Sequence, residues 1–91
     1  MDENLQLPDL YRKLLSDYEK GYVKSIIETA LWLAEKNNVY IGDKVAIARV
    51  YYVKHSGYLV VKLYLASGWK VTVVIGNEGK VNISIAGDGN E

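Results

Sequence analysis

His55 is the only histidine in the chain, and Ser56 follows it directly. A nucleophile–base pair would have to be built from these two, with a carboxylate to orient the imidazole. No acidic residue lies close to them in sequence, and His55-Ser56-Gly57 has the composition of a turn. Metal chemistry fares no better. With no cysteine, one histidine and scattered carboxylates, the chain could offer at most a weak site for a hard cation. The segments GDK at 42–44 and GNEGK at 76–80 are too short for a phosphate-binding loop, and AGDGNE at the end lacks the alternating acids of a calcium loop. The expectation is a non-enzymatic protein with no catalytic residue, no metal and no cofactor.

Aromatic rings and ammonium groups have more of a pattern. The chain carries eight tyrosines and no phenylalanine, and Tyr52, Lys54, Tyr58, Lys62, Tyr64, Lys70 and Lys80 interleave the two types. Tyrosines on an antiparallel sheet can stack on nucleobases while lysines beside them neutralise phosphates. Apolar and aromatic groups rimmed by lysine also make protein–protein contacts, in which tyrosine is enriched. Nucleic acid and a protein partner, foremost a second copy of the chain, therefore compete for the same residues.

The net charge is zero, yet the charges are segregated. Residues 1–43 hold eight acids against five bases. Residues 44–86 hold Lys44, Arg49, Lys54, Lys62, Lys70 and Lys80 against Glu78 alone. The basic middle coincides with the tyrosine-rich stretch.

What must position these side chains is written in the glycines. HSGYLVVKLYL, ASGWKVTVVIG and NEGKVNISIAG are consecutive elevens, with Gly57, Gly68 and Gly79 at the third place of each. A three-residue hairpin loop sets a turn before a left-handed residue, which glycine adopts without a steric penalty. Eight residues remain for each strand. The product is a four-stranded antiparallel meander over about 45–54, 58–65, 69–76 and 80–86. Lys54 should then face Tyr58, Leu65 face Trp69, and Gly76 face Lys80. One sheet face becomes almost wholly apolar, with rows Val53-Leu59-Ile75-Val81, Tyr51-Val61-Val73-Ile83 and Arg49-Leu63-Val71-Ile85. Arg49, on that core face, would snorkel or pair with a helix carboxylate. The other face takes Tyr52, Lys54, Tyr58, Lys62, Tyr64, Lys70 and Lys80 and has no carboxylate. Val39 and Ile41 share the parity of the apolar face, which would add a short leading strand at 38–41.

The first third reads as two helices. Pro8 and Asp9 suit a first turn, and Leu10, Tyr11, Leu14, Leu15 and Tyr18 share a face. Gly21 supplies a left-handed stop. Val23, Ile26, Ile27, Ala30, Leu31 and Ala34 then recur at helical spacing until Asn37-Asn38. Asp9, Asp17, Glu28 and Glu35 read as surface charges, and Trp32 and Trp69 as packing residues.

The expected architecture is thus a single α+β domain over 1–91. A helical pair at about 8–20 and 22–36 packs on one face of the meander, with a polar tail at 87–91. The last strand, VNISI, is a sheet edge without charge and invites pairing with a second copy, so a homodimer is expected. A pocket between helices and sheet with Trp69 at its mouth would instead make a small-molecule carrier. No apolar run approaches the roughly 20 residues that a membrane span needs. The acidic, polar start has no signal-peptide character, so the expected location is cytoplasmic.

Overall fold

The computed structural model describes residues 7–87, so most of the expected tail, from residue 88 on, lies outside the described residues. Two helices, α1 (Leu7–Lys20) and α2 (Val23–Lys36), precede four strands: β1 (Val45–Val53), β2 (Tyr58–Leu65), β3 (Lys70–Ile75) and β4 (Val81–Ala86). The strands form one open antiparallel sheet in the order β1-β2-β3-β4, and the helices pack on one face of it.

Each helix ends on a left-handed residue. Gly21 has φ +80°, its amide donates to the Tyr18 carbonyl, and the Tyr22 amide reaches back to the Asp17 carbonyl at 2.8 Å. Asn38 repeats the arrangement at φ 66°, with the Val39 amide on the Ala34 carbonyl at 2.8 Å. Both are closures in which two late amides satisfy carbonyls of the last turn. The second closure turns the chain away at 38–41, where no strand forms; the expected leading strand is a correction.

Leu10, Tyr11 and Leu14 of α1 and Ile26, Ala30 and Leu33 of α2 are buried against Leu59, Val61, Leu63, Val71, Val73 and Ile75 of the two central strands. Asp17 departs from expectation. It is buried between the helices, where it accepts hydrogen bonds from Ser25 Oγ at 3.1 Å and Lys13 Nζ at 3.0 Å. A carboxylate can be held there because the serine and the ammonium replace the water it loses.

The registers of β2 with β3 and of β3 with β4 are those the loops dictate: Leu59 faces Ile75, Tyr64 faces Lys70, and Val71 faces Ile85. Gly68 and Gly79 take φ +102° and +87° and close three-residue loops, with Leu65 and Gly76 donating to the carbonyls of Trp69 and Lys80 at 2.8 Å each.

The first hairpin differs. Val53 faces Tyr58, so the loop is four residues long, Lys54 to Gly57, and the Gly57 amide donates to the Val53 carbonyl at 2.7 Å. One extra loop residue inverts the β1 side chains from Ile47 to Val53 relative to expectation. Ala48, Val50 and Tyr52 face the helices, whereas Arg49, Tyr51 and Val53 face away. Arg49 explains the choice, because the expected register would have set a guanidinium opposite Leu63 in the core, where an unpaired charge is costly. Tyr52 instead lies against Tyr18, ring centroids 6.3 Å apart. Tyr11 donates its hydroxyl to the Gly57 carbonyl and so ties α1 to the hairpin. Burial pushes the Tyr11 hydroxyl above its ordinary range, and the neighbouring Tyr52 adds to the shift. A register shift between Val45 and Ile47 then returns Val45 to the core side opposite Leu65.

Candidate functional site

The sheet face turned away from the helices is built from alternate residues of all four strands. Arg49, Tyr51 and Val53 come from β1, Tyr58, Val60, Lys62 and Tyr64 from β2, Lys70, Thr72 and Val74 from β3, and Asn82 and Ser84 from β4. Lys80 enters beside them from the turn before β4, and none of these strand positions carries a carboxylate. Five of the seven residues expected on this face are there: Tyr58, Lys62, Tyr64, Lys70 and Lys80. Two are not, because of the longer first loop. Tyr52 is packed inside against Tyr18, and Lys54 sits exposed in the hairpin loop. Tyr51 and Arg49 replace them, so the face keeps three tyrosines and four cations. The signal that could have found Tyr51 was Arg49, two residues away and too polar for the core.

On this face, two lysines lie over tyrosine rings. Lys62 Nζ is 5.8 Å from the Tyr51 centroid and Lys70 Nζ is 5.9 Å from that of Tyr64. Both lysine stems are half-buried, and Val60 at the middle of the face is only 6% exposed. Val60 is therefore covered by its own neighbours, whereas Tyr51, Tyr58 and Ile47, which lies opposite Tyr64, stay exposed.

Tyr58 is arranged differently. A Cβ added at Gly76 would meet its Cε1 at 3.3 Å, so the phenol ring lies over the glycine backbone, yet the residue remains 47% exposed. Glycine at 76 leaves room for this ring. A groove of about 390 Å³ opens beside it, lined by Ser56, Val74, Asn77, Glu78, Lys80 and Asn82. Its volume lies in the range of small-ligand sites. Glu78, in the β3–β4 turn, brings a carboxylate to this end of the face.

At the opposite end, Asp43 fastens the segment before β1 to the β2–β3 turn. Its Oδ2 accepts from the Ser67 amide and its Oδ1 from the Lys44 amide, each at 2.8 Å. Hydrogen bonds from Ser67 and then from Lys44 hold its carboxyl below the usual range. His55 and Ser56 are exposed in the first hairpin, as expected of turn residues. The space between helices and sheet is occupied by Leu14, Ile26, Leu59, Val61, Leu63 and Val73, which leaves the carrier reading without support there. Trp32 is half-buried, with Lys36 Nζ 5.4 Å from its ring, whereas Trp69 stands half exposed at the start of β3 rather than packed. Among the described residues, no helix is long and apolar enough to cross a membrane.

In comparisons with protein-family models, with curated proteins and with solved structures, nothing matches this chain.

Proposed function

We propose that the chain is a non-enzymatic binder of single-stranded nucleic acid, using the outer face of its sheet. The observation that carries this reading is the face's composition: Tyr51, Tyr58 and Tyr64 set among Arg49, Lys62, Lys70 and Lys80, with no strand carboxylate among them. Tyr58 is a preset platform, held from below by Gly76 and open above. Tyr51 and Tyr64 carry lysines over their rings, which a base must displace. An exposed cation–π contact is worth roughly 0.5–1 kcal/mol. A stacked base contributes about 1–3 kcal/mol, and the displaced ammonium remains near enough to meet the adjacent phosphate. Stacking therefore prevails. The neutral net charge limits non-specific attraction at long range, so contact depends on this face.

The test is fluorescence anisotropy with a labelled oligothymidine at several salt concentrations. The reading requires affinity that falls linearly on a log–log plot as salt rises, and a large loss in Tyr58→Ala. No binding at low salt would end it. The competing reading, a protein partner on the same face, is weakened by the covering of Val60. It is favoured if Tyr58→Ala changes the oligomeric state and nothing else.

A further inference from the structure

We infer that the chain forms a two-fold dimer through the free edge of β4, with Ile83 of each copy facing its counterpart across the axis. This goes beyond the binding reading and does not depend on it.

The phase of the β3–β4 ladder fixes which groups are free. The Gly76 amide donates to the Lys80 carbonyl at 2.8 Å, and in an antiparallel ladder every second pair is hydrogen-bonded. The pairs Val74–Asn82 and Thr72–Ser84 continue that phase. The amides and carbonyls of Val81, Ile83 and Ile85 therefore point away from β3, along the open edge. These residues also carry the apolar side chains of the helix-facing side. Ile85 is 53% exposed there, and Val81 and Ile83 are only half-buried.

Only one antiparallel self-pairing uses all of these groups symmetrically. With Ile83 opposite the second copy's Ile83, Val81 falls opposite the second copy's Ile85, and each outward amide and carbonyl finds a partner. The apolar side chains then form rows on the helix side and cover one another. On the outer side, Asn82 meets the second copy's Ser84 and Lys80 meets its Ala86, so no like charges are opposed. An edge without proline, charge or bulge is one that proteins ordinarily protect, and among the described residues β4 has none of these protections. The edge of β1 differs, since its ladder shifts register between Val45 and Ile47 and it carries the charged Arg49. The dimer joins two sheets into one of eight strands and makes the two tyrosine–lysine faces continuous.

The chain has no cysteine, so a single introduced thiol reports without competition. Across a hydrogen-bonded pair the Cα atoms stand about 5.5 Å apart, within reach of a short bis-maleimide cross-linker. Treated with such a reagent, Ile83→Cys should run mostly as a covalent dimer on a denaturing gel, while Ser56→Cys in the first hairpin should not. In light scattering the unmodified chain should show twice the monomer mass. Ile85→Lys, a change at an already exposed position, should halve that mass while leaving the circular dichroism unchanged. Cross-linking of Ile83→Cys no greater than that of Ser56→Cys would overturn the inference. So would a monomeric parent chain, or an Ile85→Lys chain that remains dimeric.

Discussion

Lys62 Nζ stands 5.8 Å from the centre of the Tyr51 ring, joining β1 to β2 on the face opposite the helices. The pair holds a cation and a stacking surface within one base's reach of each other. If the lysine serves phosphate, Lys62→Ala should weaken binding of oligothymidine and of other single-stranded sequences about equally and reduce the salt slope by about 1. Anisotropy titrations at four salt concentrations measure this. An unchanged slope removes Lys62 from the interface.

Tyr51 and Tyr52 are neighbours in sequence with opposite fates, and that contrast gives a stability prediction. Tyr52→Ala removes the ring packed on Tyr18 and should cost about 2–4 kcal/mol, somewhat under the range for fully buried aromatics. Tyr51→Ala, at a surface 39% exposed, should stay within about 0.5 kcal/mol of the parent chain. Urea denaturation of the two variants decides which tyrosine faces the helices. The reverse order of midpoints would restore the register that a three-residue first loop implies.

Asp43 should make the loop clamp sensitive to acid. Its folded carboxyl is held below the usual range, so ionised Asp43 favours the folded chain. That contribution is complete above the unfolded value of about 3.9 and disappears as pH falls through the lower folded value. The urea midpoint of Asp43→Ala should lie below that of the parent at about pH 7, and the two should converge at about pH 2. A gap that persists undiminished in acid would mean that the carboxylate's charge plays no part.

Gly21 ends α1 at φ +80° with open space around its missing side chain. Gly21→Ala should therefore cost only the left-handed backbone penalty, roughly 1–2 kcal/mol, with no packing clash added. Chemical denaturation checks it. A loss several times larger would place the link between the helices under tighter constraint than the backbone hydrogen bonds there suggest.

Much of this architecture was legible in the chain. The helix faces follow from apolar spacing, and both helix ends follow from Gly21 and Asn38. Gly68 and Gly79 set two of the three strand registers because each occupies the left-handed place of a three-residue loop. Gly57 keeps the same conformation, at φ +79°, but in a loop one residue longer. Equal glycine spacing does not reveal that difference, since the spacing counts residues between turns and not the residues within each. The error propagated to Tyr52, Lys54 and Arg49 and to no other strand. What it needed was energetic rather than periodic information: the alternate β1 residues are almost equally apolar, and Arg49 alone breaks the tie. The Asp17 bridge to Ser25 was illegible for a related reason, because a carboxylate on a helix is ordinarily solvated and only the neighbouring helix reveals its partner. The platform at Tyr58 depends on Gly76 lying across the ladder, a relation that the two correct registers contain.

The most direct test of the central claim is a titration of the isotope-labelled chain with oligothymidine, followed residue by residue in amide correlation spectra. The account predicts shifts concentrated at Arg49, Tyr51, Tyr58, Lys62, Tyr64, Lys70 and Lys80, fading as salt is added. Shifts confined to α1 and α2, or none at low salt, would contradict it.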